Sequence, residues 1–412
     1  MENIEFNTTR RAFLWTRVLD TPFWAIFNML PFILYKDLHA TPFELAVVIA
    51  LKPLSSLFSV YWSALIHKRH DRLRSNVVWG GILRHLPFFF FPWIDHIWFF
   101  ILAFGFHMML SRGAQPAWME LLKRNIPGPA RERVFAFGSM LGYVGDALLP
   151  FVLGFLLDGY FEAWRWIFPV AALLSLGAIF FQKDISLNDE QSIEKIPFTF
   201  KEAVVTPWKG VITLLKSRPD FTRFQIGFML GGSGLMVMQP ALPVFFVDVL
   251  NLSYMEFAIA LTTCKGIGYA LTSPLWARWV SKGEIFRLTA WVTALATLFP
   301  ICMMLAPYGL MWLYCGYLFY GVMQAGSSLS WNMSGPIFSR EEDSSLYTSV
   351  NVATVGIRGA VAPWIGSLLC TYWGASSTMI LGVVLCLIAT QRLAWYAKEE
   401  RVPQALGAND NG

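Results

Sequence analysis

The residues best placed to do chemistry are charged side chains inside apolar stretches. Arg112 sits in Leu110-Ser-Arg-Gly-Ala-Gln-Pro116, with a long apolar run before it. A guanidinium cannot deprotonate, so in a bilayer it needs a partner, a water-filled cavity or a route to the interface. His107, Ser111 and Gln115 recur at i, i+4 and i+8, and Arg112 borders that stripe. Lys52 and Lys265 lie too deep for easy snorkelling, each beside a helix-loosening residue, Pro53 or Gly266. Such cations can hold an anion. Asp20 and Asn28 share the first apolar segment and Asp146 lies in the fifth. A carboxylate set between apolar burial and a nearby arginine can exchange a proton, which makes Asp20 and Asp146 the candidate proton carriers. Blander roles stay open: Arg112 neutralised by Asp20 or Asp146, lysines bonded to carbonyls, and Asp20 solvated at a helix end.

The elements that must carry these residues are membrane helices. Hydrophobic residues make up 56% of the 412 and charged ones 14%, outside the soluble range. The apolar runs last long enough for helical spans rather than barrel strands. Flanking charges predict twelve helices, near 12–35, 43–66, 76–94, 97–121, 134–157, 163–181, 221–247, 255–279, 286–306, 309–333, 345–370 and 375–396. Of 32 lysines and arginines, only Lys36 and Arg165 fall in outer loops when the amino terminus is cytoplasmic, and Lys52, Arg84, Arg112, Lys265 and Arg358 fall inside helices. The positive-inside rule then places both termini in the cytoplasm. The polar start up to Arg11 lacks a signal-peptide core, so the first helix is expected to act as its own insertion signal.

Four regions follow: a bundle over 1–182, a linker over 183–219, a second bundle over 220–397 and a cytoplasmic tail over 398–412. In the linker, Thr206-Pro207 starts a short helix with Trp208, Val211, Ile212 and Leu215 on one face, expected to lie on the membrane interface as a brace. Cys264, Cys302, Cys315, Cys370 and Cys386 all fall in apolar segments without a Cys-x-x-Cys pair, as small packing residues do. No basic cluster is interleaved with aromatics for nucleic acid. His67 and His70 have ligand-like spacing, but no metal or other cofactor is expected in that basic loop.

The chain repeats. Shifted by 212 residues, Arg11 meets Arg223, Pro31 meets Pro243, Glu44 meets Glu256 and Ala46 meets Ala258. After a one-residue slip, Lys52 meets Lys265, Asp71 meets Glu284, Arg74 meets Arg287, Pro87 meets Pro300, Gly113 meets Gly326, Trp118 meets Trp331 and Pro150 meets Pro363. Six helices per copy make the repeat parallel. In this frame Ser111 falls on Gln324 and Gln115 on Ser328, giving repeat-related polar faces of the kind a midplane site needs. The frame sets Ala325 opposite Arg112, so the charge is confined to the first copy.

Twelve helices, cytoplasmic termini, a long middle loop and a parallel six-plus-six repeat resemble the major facilitator superfamily. Between helices 2 and 3, His67-Lys-Arg-His-Asp71-Arg72-Leu-Arg74 is similar to its Gly-x-x-x-Asp-Arg-x-Gly-Arg signature, with His67 and Arg74 in the glycine places. Arg112 and Gln115 resemble the Arg-x-x-Gln signature of its proton-coupled antiporters, and Gly138, Gly142, Gly145, Pro150 and Gly154 their helix-5 glycine motif. The resemblance implies an all-α membrane protein whose first, fourth, seventh and tenth helices line a central cavity, and it puts the third helix, with Arg84 and His85, at the periphery.

It also implies a secondary transporter working by alternating access. Nothing matches Gly-x-x-x-x-Gly-Lys-Ser/Thr, Gly-x-Ser-x-Gly or His-x4-Asp, so neither nucleotide hydrolysis nor an enzyme activity is expected. The predicted substrate site comprises Arg112, Gln115, His107, Asn28, Lys52, Lys265, Gln239, Gln324 and Ser328. Asp71, Arg72 and Arg74, with Glu284 and Arg287, are the predicted cytoplasmic gate, or else a plain positive-inside loop. Gly231-Gly-Ser-Gly234 and the Gln239-Pro240 and Pro243 after it predict close packing and a helix break. Buried cations outnumbering buried acids favour a small organic anion moved with protons by a monomer in a bacterial inner membrane. The alternatives are a proton-coupled exporter of hydrophobic compounds and a non-transporting receptor or scaffold.

Overall fold

The structure, a computed structural model, describes residues 2–68, 72–185, 200–280, 284–339 and 344–408. Among these residues every regular element is helical. The first half holds α1 (Glu2–Lys36), α2 (Pro42–Lys68), α3 (Leu73–His85), α4 (Ile97–Asn125), α5 (Gly128–Gly159) and α6 (Trp164–Leu176, extended by Ile179–Gln182). After α3 the chain tightens into a 3-10 stretch, Leu86–Trp93, where Pro87 and Pro92 withhold donors from an α ladder. Then come α7 (Phe200–Ser217), α8 (Pro219–Met238), α9 (254–280), α10 (Ile285–Leu305), α11 (Met311–Ser339), α12 (Ser344–Trp373) and α13 (Ala375–Ala408). All twelve predicted positions are helical. Residues 398–408, expected in a tail, instead prolong α13. Six helices are long and apolar enough to cross a membrane by length and composition, or seven when the bent α8 is taken with its continuation.

Two compact units emerge, one of residues 1–203 with 253–258, the other of 204–252 with 259–412. The core of the first is aromatic: Phe23, Phe27, Phe88, Phe91, Phe104 and Phe168 are fully buried. Phe27 lies parallel to Phe104 at 4.4 Å and Phe23 stands edge-on to Phe88 at 4.7 Å, both favourable arrangements. The core of the second gathers Phe221, Phe224, Phe338 and Tyr347 from α8, α11 and α12.

The linker helix turns part of its apolar face onto protein. Val211 and Leu214 of α7 are buried in that second core, while Ile212, predicted on the apolar face, is exposed. Through Val211 and Leu214, α7 packs on the second unit directly. The predicted break in α8 is present: the helix ends at Met238 and its continuation, Ala241–Val249, bends away by 40°.

The repeat is written in the backbone. Among the described residues four lie in the left-handed region of φ: His39 (53°) and Asn251 (49°), then Glu162 (52°) and Gly374 (79°). Within each pair the residues are 212 apart. Such left-handed turns are costly for most side chains, so their recurrence marks one chain path used twice. Two residues beyond the first pair, each copy closes a capping box. Glu44 accepts from Thr41 N–H at 2.8 Å and Glu256 from Ser253 N–H at 2.9 Å, while each hydroxyl takes the glutamate's own N–H. Further along, Trp62 lies against Gly113, and Trp276, one place out of the repeat frame, lies against Gly326.

The one-residue slip also has a physical site. It falls between Ala258 and Lys265, and there α9 is a π-helical turn, Ile259–Cys264. A π turn closes i→i+5 bonds and so absorbs one extra residue without ending the helix.

Candidate functional site

Three helices of the first unit bring charge into its aromatic core. Arg84 Nη2 of α3 donates to Asp20 Oδ2 of α1 at 2.6 Å, both side chains being about 12% exposed. His85 Nε2 lies 3.5 Å from the other carboxylate oxygen, and its Nδ1 lies 2.8 Å from the Gly81 carbonyl. From α4, His107 is fully buried with Nδ1 3.2 Å from the Arg84 carbonyl. Its ring centroid is 4.6 Å from those of Phe23 and Phe27 and 5.2 Å from that of His85. Asp20 Oδ1, Arg84 Nε and Nε2 of both histidines have no hydrogen-bond partner in this burial.

Two expectations are corrected here. The partner of Asp20 is Arg84, not Arg112. The third helix, expected to be peripheral in its chemistry, supplies two of the four polar groups, because its buried side faces α1 at Asp20. His107 sits apart from the exposed Gln115, so the predicted stripe divides into a buried end and an open end. Arg112, half-buried on α4, has no ion-pair partner among the described residues. Asn28 is exposed on α1. The side chain of Asp146 and all of Asp71 lie outside the described residues.

In the second unit three helices converge on Tyr320 of α11. Lys265 Nζ of α9 lies 5.7 Å from the Tyr320 ring centroid, a cation–π distance. Arg358 of α12 is within electrostatic reach of the same tyrosine. Its guanidinium packs on Gly232 of α8, where an added Cβ would collide with Nη1, and its Nε has no hydrogen-bond partner. Among the described residues no carboxylate pairs with Arg358. Lys52, the repeat mate of Lys265, lies over Phe104 of α4, also at 5.7 Å. The two lysines thus hold the same kind of aromatic platform in each copy.

The other predicted residues scatter. Gln324 is half-buried on α11 with Oε1 unpartnered, and the Ser328 carbonyl accepts from Asn332 at 2.8 Å. Gln239 stands at the break after α8. Of the predicted gate, Glu284 pairs with Arg287 within the first turn of α10 at 3.2 Å. Arg74 donates to the Ile185 carbonyl at 3.4 Å, and Arg72 is exposed at the start of α3. No group of metal-ligating side chains forms among the described residues.

Solved structures share this fold across nearly the whole chain. A POT family transporter in complex with 5-aminolevulinic acid matches with a TM-score of 0.72 and 14% identity over 96% of both chains. The nucleoside transporter NupG matches at 0.65 and 14%, over 95% of this chain and 98% of its own. A bacterial homolog of the human lysosomal transporter Spinster matches at 0.67 and 14%, over 96% and 97%. No curated protein matches in sequence. The family model of the Major Facilitator Superfamily matches residues 18–339. With that match over most of its length and an all-helical repeated fold, the chain is a multi-pass membrane transporter, not an enzyme, and belongs to the Major Facilitator Superfamily.

Proposed function

We propose that this protein carries a small organic anion across the membrane by alternating access, in symport with protons, as a monomer in a bacterial inner membrane. The observation that carries the reading is the cationic cluster of the second unit, where Lys265 and Arg358 approach one tyrosine and no described carboxylate answers Arg358. A desolvated guanidinium is costly without a counter-charge, and a transported carboxylate supplies one. Arg112, equally without a described acidic partner, adds a second attraction in the first unit. Gln324, with its free Oε1, belongs with the residues that orient a polar solute. The solved neighbour holding 5-aminolevulinic acid shows a carboxylate-bearing solute on this fold, which supports the class without naming the compound.

Purified protein in liposomes, given an inward proton gradient and a panel of labelled carboxylates, tests this. Gradient-driven uptake of at least one carboxylate is expected, and Arg358→Gln should lower it at least tenfold, about 1.4 kcal/mol. Efflux of lipophilic cations without carboxylate uptake would favour the exporter that the Arg112 and Gln115 spacing resembles. Absence of any flux, with the variant indistinguishable from wild type, would favour a receptor.

A further inference from the structure

We infer that the contact between Asp20 Oδ1 and His85 Nε2, enclosed by Arg84 and His107, is a built binding site for a single proton; its use in transport rests on the proton-coupled reading above. The argument is a count of hydrogens. His85 Nδ1 lies 2.8 Å from the Gly81 carbonyl. A carbonyl only accepts, so that nitrogen carries the ring's hydrogen. The neutral ring then turns a bare Nε2 toward Asp20 Oδ1, 3.5 Å away. An ionised carboxylate has acceptors only, so two acceptors face each other at that distance.

Neither atom has another hydrogen-bond partner and both are buried, an unfavourable state for polar atoms away from water. One added proton, on either atom, converts the opposition into a charge-assisted hydrogen bond. Arg84 occupies the other carboxylate oxygen at 2.6 Å. It keeps Asp20 oriented and neutralises it while the slot is empty.

Neighbouring helices surround this slot. From α3 come Arg84 and His85, and from α4 comes His107. The same count gives His107 its hydrogen on Nδ1, which faces the Arg84 carbonyl at 3.2 Å, and leaves Nε2 bare in an aromatic box. From α6, the Ser175 hydroxyl donates to the Leu19 carbonyl at 3.3 Å instead. On the α5 side Gly145 packs against Thr21, and the side chain of Asp146 beside it lies outside the described residues. Lys52 of α2 lies over Phe104.

Infrared difference spectroscopy of the full chain in liposomes, with pH as the only variable, tests the assignment. The wild-type spectrum less that of Asp20→Asn should leave carboxyl or imidazole bands that follow pH and amount to one proton per molecule. Asp20→Asn places an amide donor toward His85 and imitates the occupied state, so it should remove them; His85→Gln should do the same. Glu284→Gln should keep them. Bands unchanged in both Asp20→Asn and His85→Gln overturn the inference. Should Asp20→Asn fold poorly, His85→Gln leaves the Asp20–Arg84 pair in place and decides alone. Bands lost as expected but no gradient-driven flux would keep the proton site and remove the coupled reading. Gradient-driven flux with unchanged bands would do the reverse.

Discussion

The two units use one scaffold to opposite ends. In the first, neutral pairs such as Asn125 with Thr9 and Gln182 with Thr16 are joined by a buried charged and titratable cluster: Asp20, Arg84, His85 and His107. Their counterparts in the repeat frame are Gly232, Thr297, Leu298 and Tyr320. The second unit answers with neutral networks. Thr289 meets Ser330 at 3.1 Å, Thr390 donates to Thr293 at 2.9 Å, and Asn351 bridges Gln225 and Ser334. Its one deep guanidinium, Arg358, rests on the glycine that replaces Asp20. What stayed alike in the copies is backbone business: left-handed turns, capping boxes, a tryptophan on a glycine. What diverged is which side chain fills the core.

This contrast is most easily broken at Asp20. Asp20→Ala should cost about 3–5 kcal/mol, the usual result of stranding a buried charge. Adding Arg84→Met should recover most of it, read as melting temperature in detergent. A loss below about 1 kcal/mol, in the range of exposed pairs, would mean that the cluster does not order the first unit.

Next comes the closeness of helices. In the second unit α9 and α11 touch through backbone: an added Cβ on Gly321 would lie 2.0 Å from the Lys265 carbonyl oxygen, and one on Gly268 2.3 Å from that of Leu318. The matching positions in the first unit are Met108 and Ser55. Gly321→Ala should therefore cost about 3 kcal/mol, the upper part of the overpacking range. Gly142, with nothing near its missing Cβ, should gain about 0.5 kcal/mol as Ala from helix propensity. Equal melting temperatures for the two variants would remove the claim of tighter packing in the second copy.

The smallest effect sharpens the likeness of the capping boxes. Thr41→Ala should cost about 1 kcal/mol. Ser253→Ala should cost less, because Asp158 already accepts the Tyr254 and Met255 N–H groups at 2.8 and 2.9 Å. Paired thermal melts check this, and a larger loss at Ser253 would show that Asp158 does not share the capping.

Much of the fold was legible because it rests on local chemistry. Long apolar runs give helices, and rare residues such as Lys52 with Lys265 betray the repeat. The Glu44–Glu256 match was visible too, yet its meaning was missed, although Thr-x-x-Glu and Ser-x-x-Glu stood in the chain as capping signals. The candidate site was harder. Sequence spacing put His107 with Gln115 on one stripe, but only tertiary packing tells which end of a stripe is enclosed by Phe23 and Phe27. Asp20 was set beside Arg112 by the sequence, and choosing Arg84 instead requires knowing how α3 is turned about its axis. Arg358 was noticed without its setting, since Gly232 as its seat is a fact of side-chain volume across two helices.

The π turn in α9 finally gives the chain a history. A copy made by duplication starts in register with its parent, and the first stretch of each half keeps a spacing of 212 up to Ala258. The extra residue enters at Ile259–Cys264, so one copy gained it or the other lost it after the duplication. A loop could have taken the change without trace. Taken inside a helix, it is recorded as a bulge, and Lys265 still reaches its aromatic platform as Lys52 does. The order of events, duplication first and insertion or deletion second, is thus preserved in a single turn of backbone.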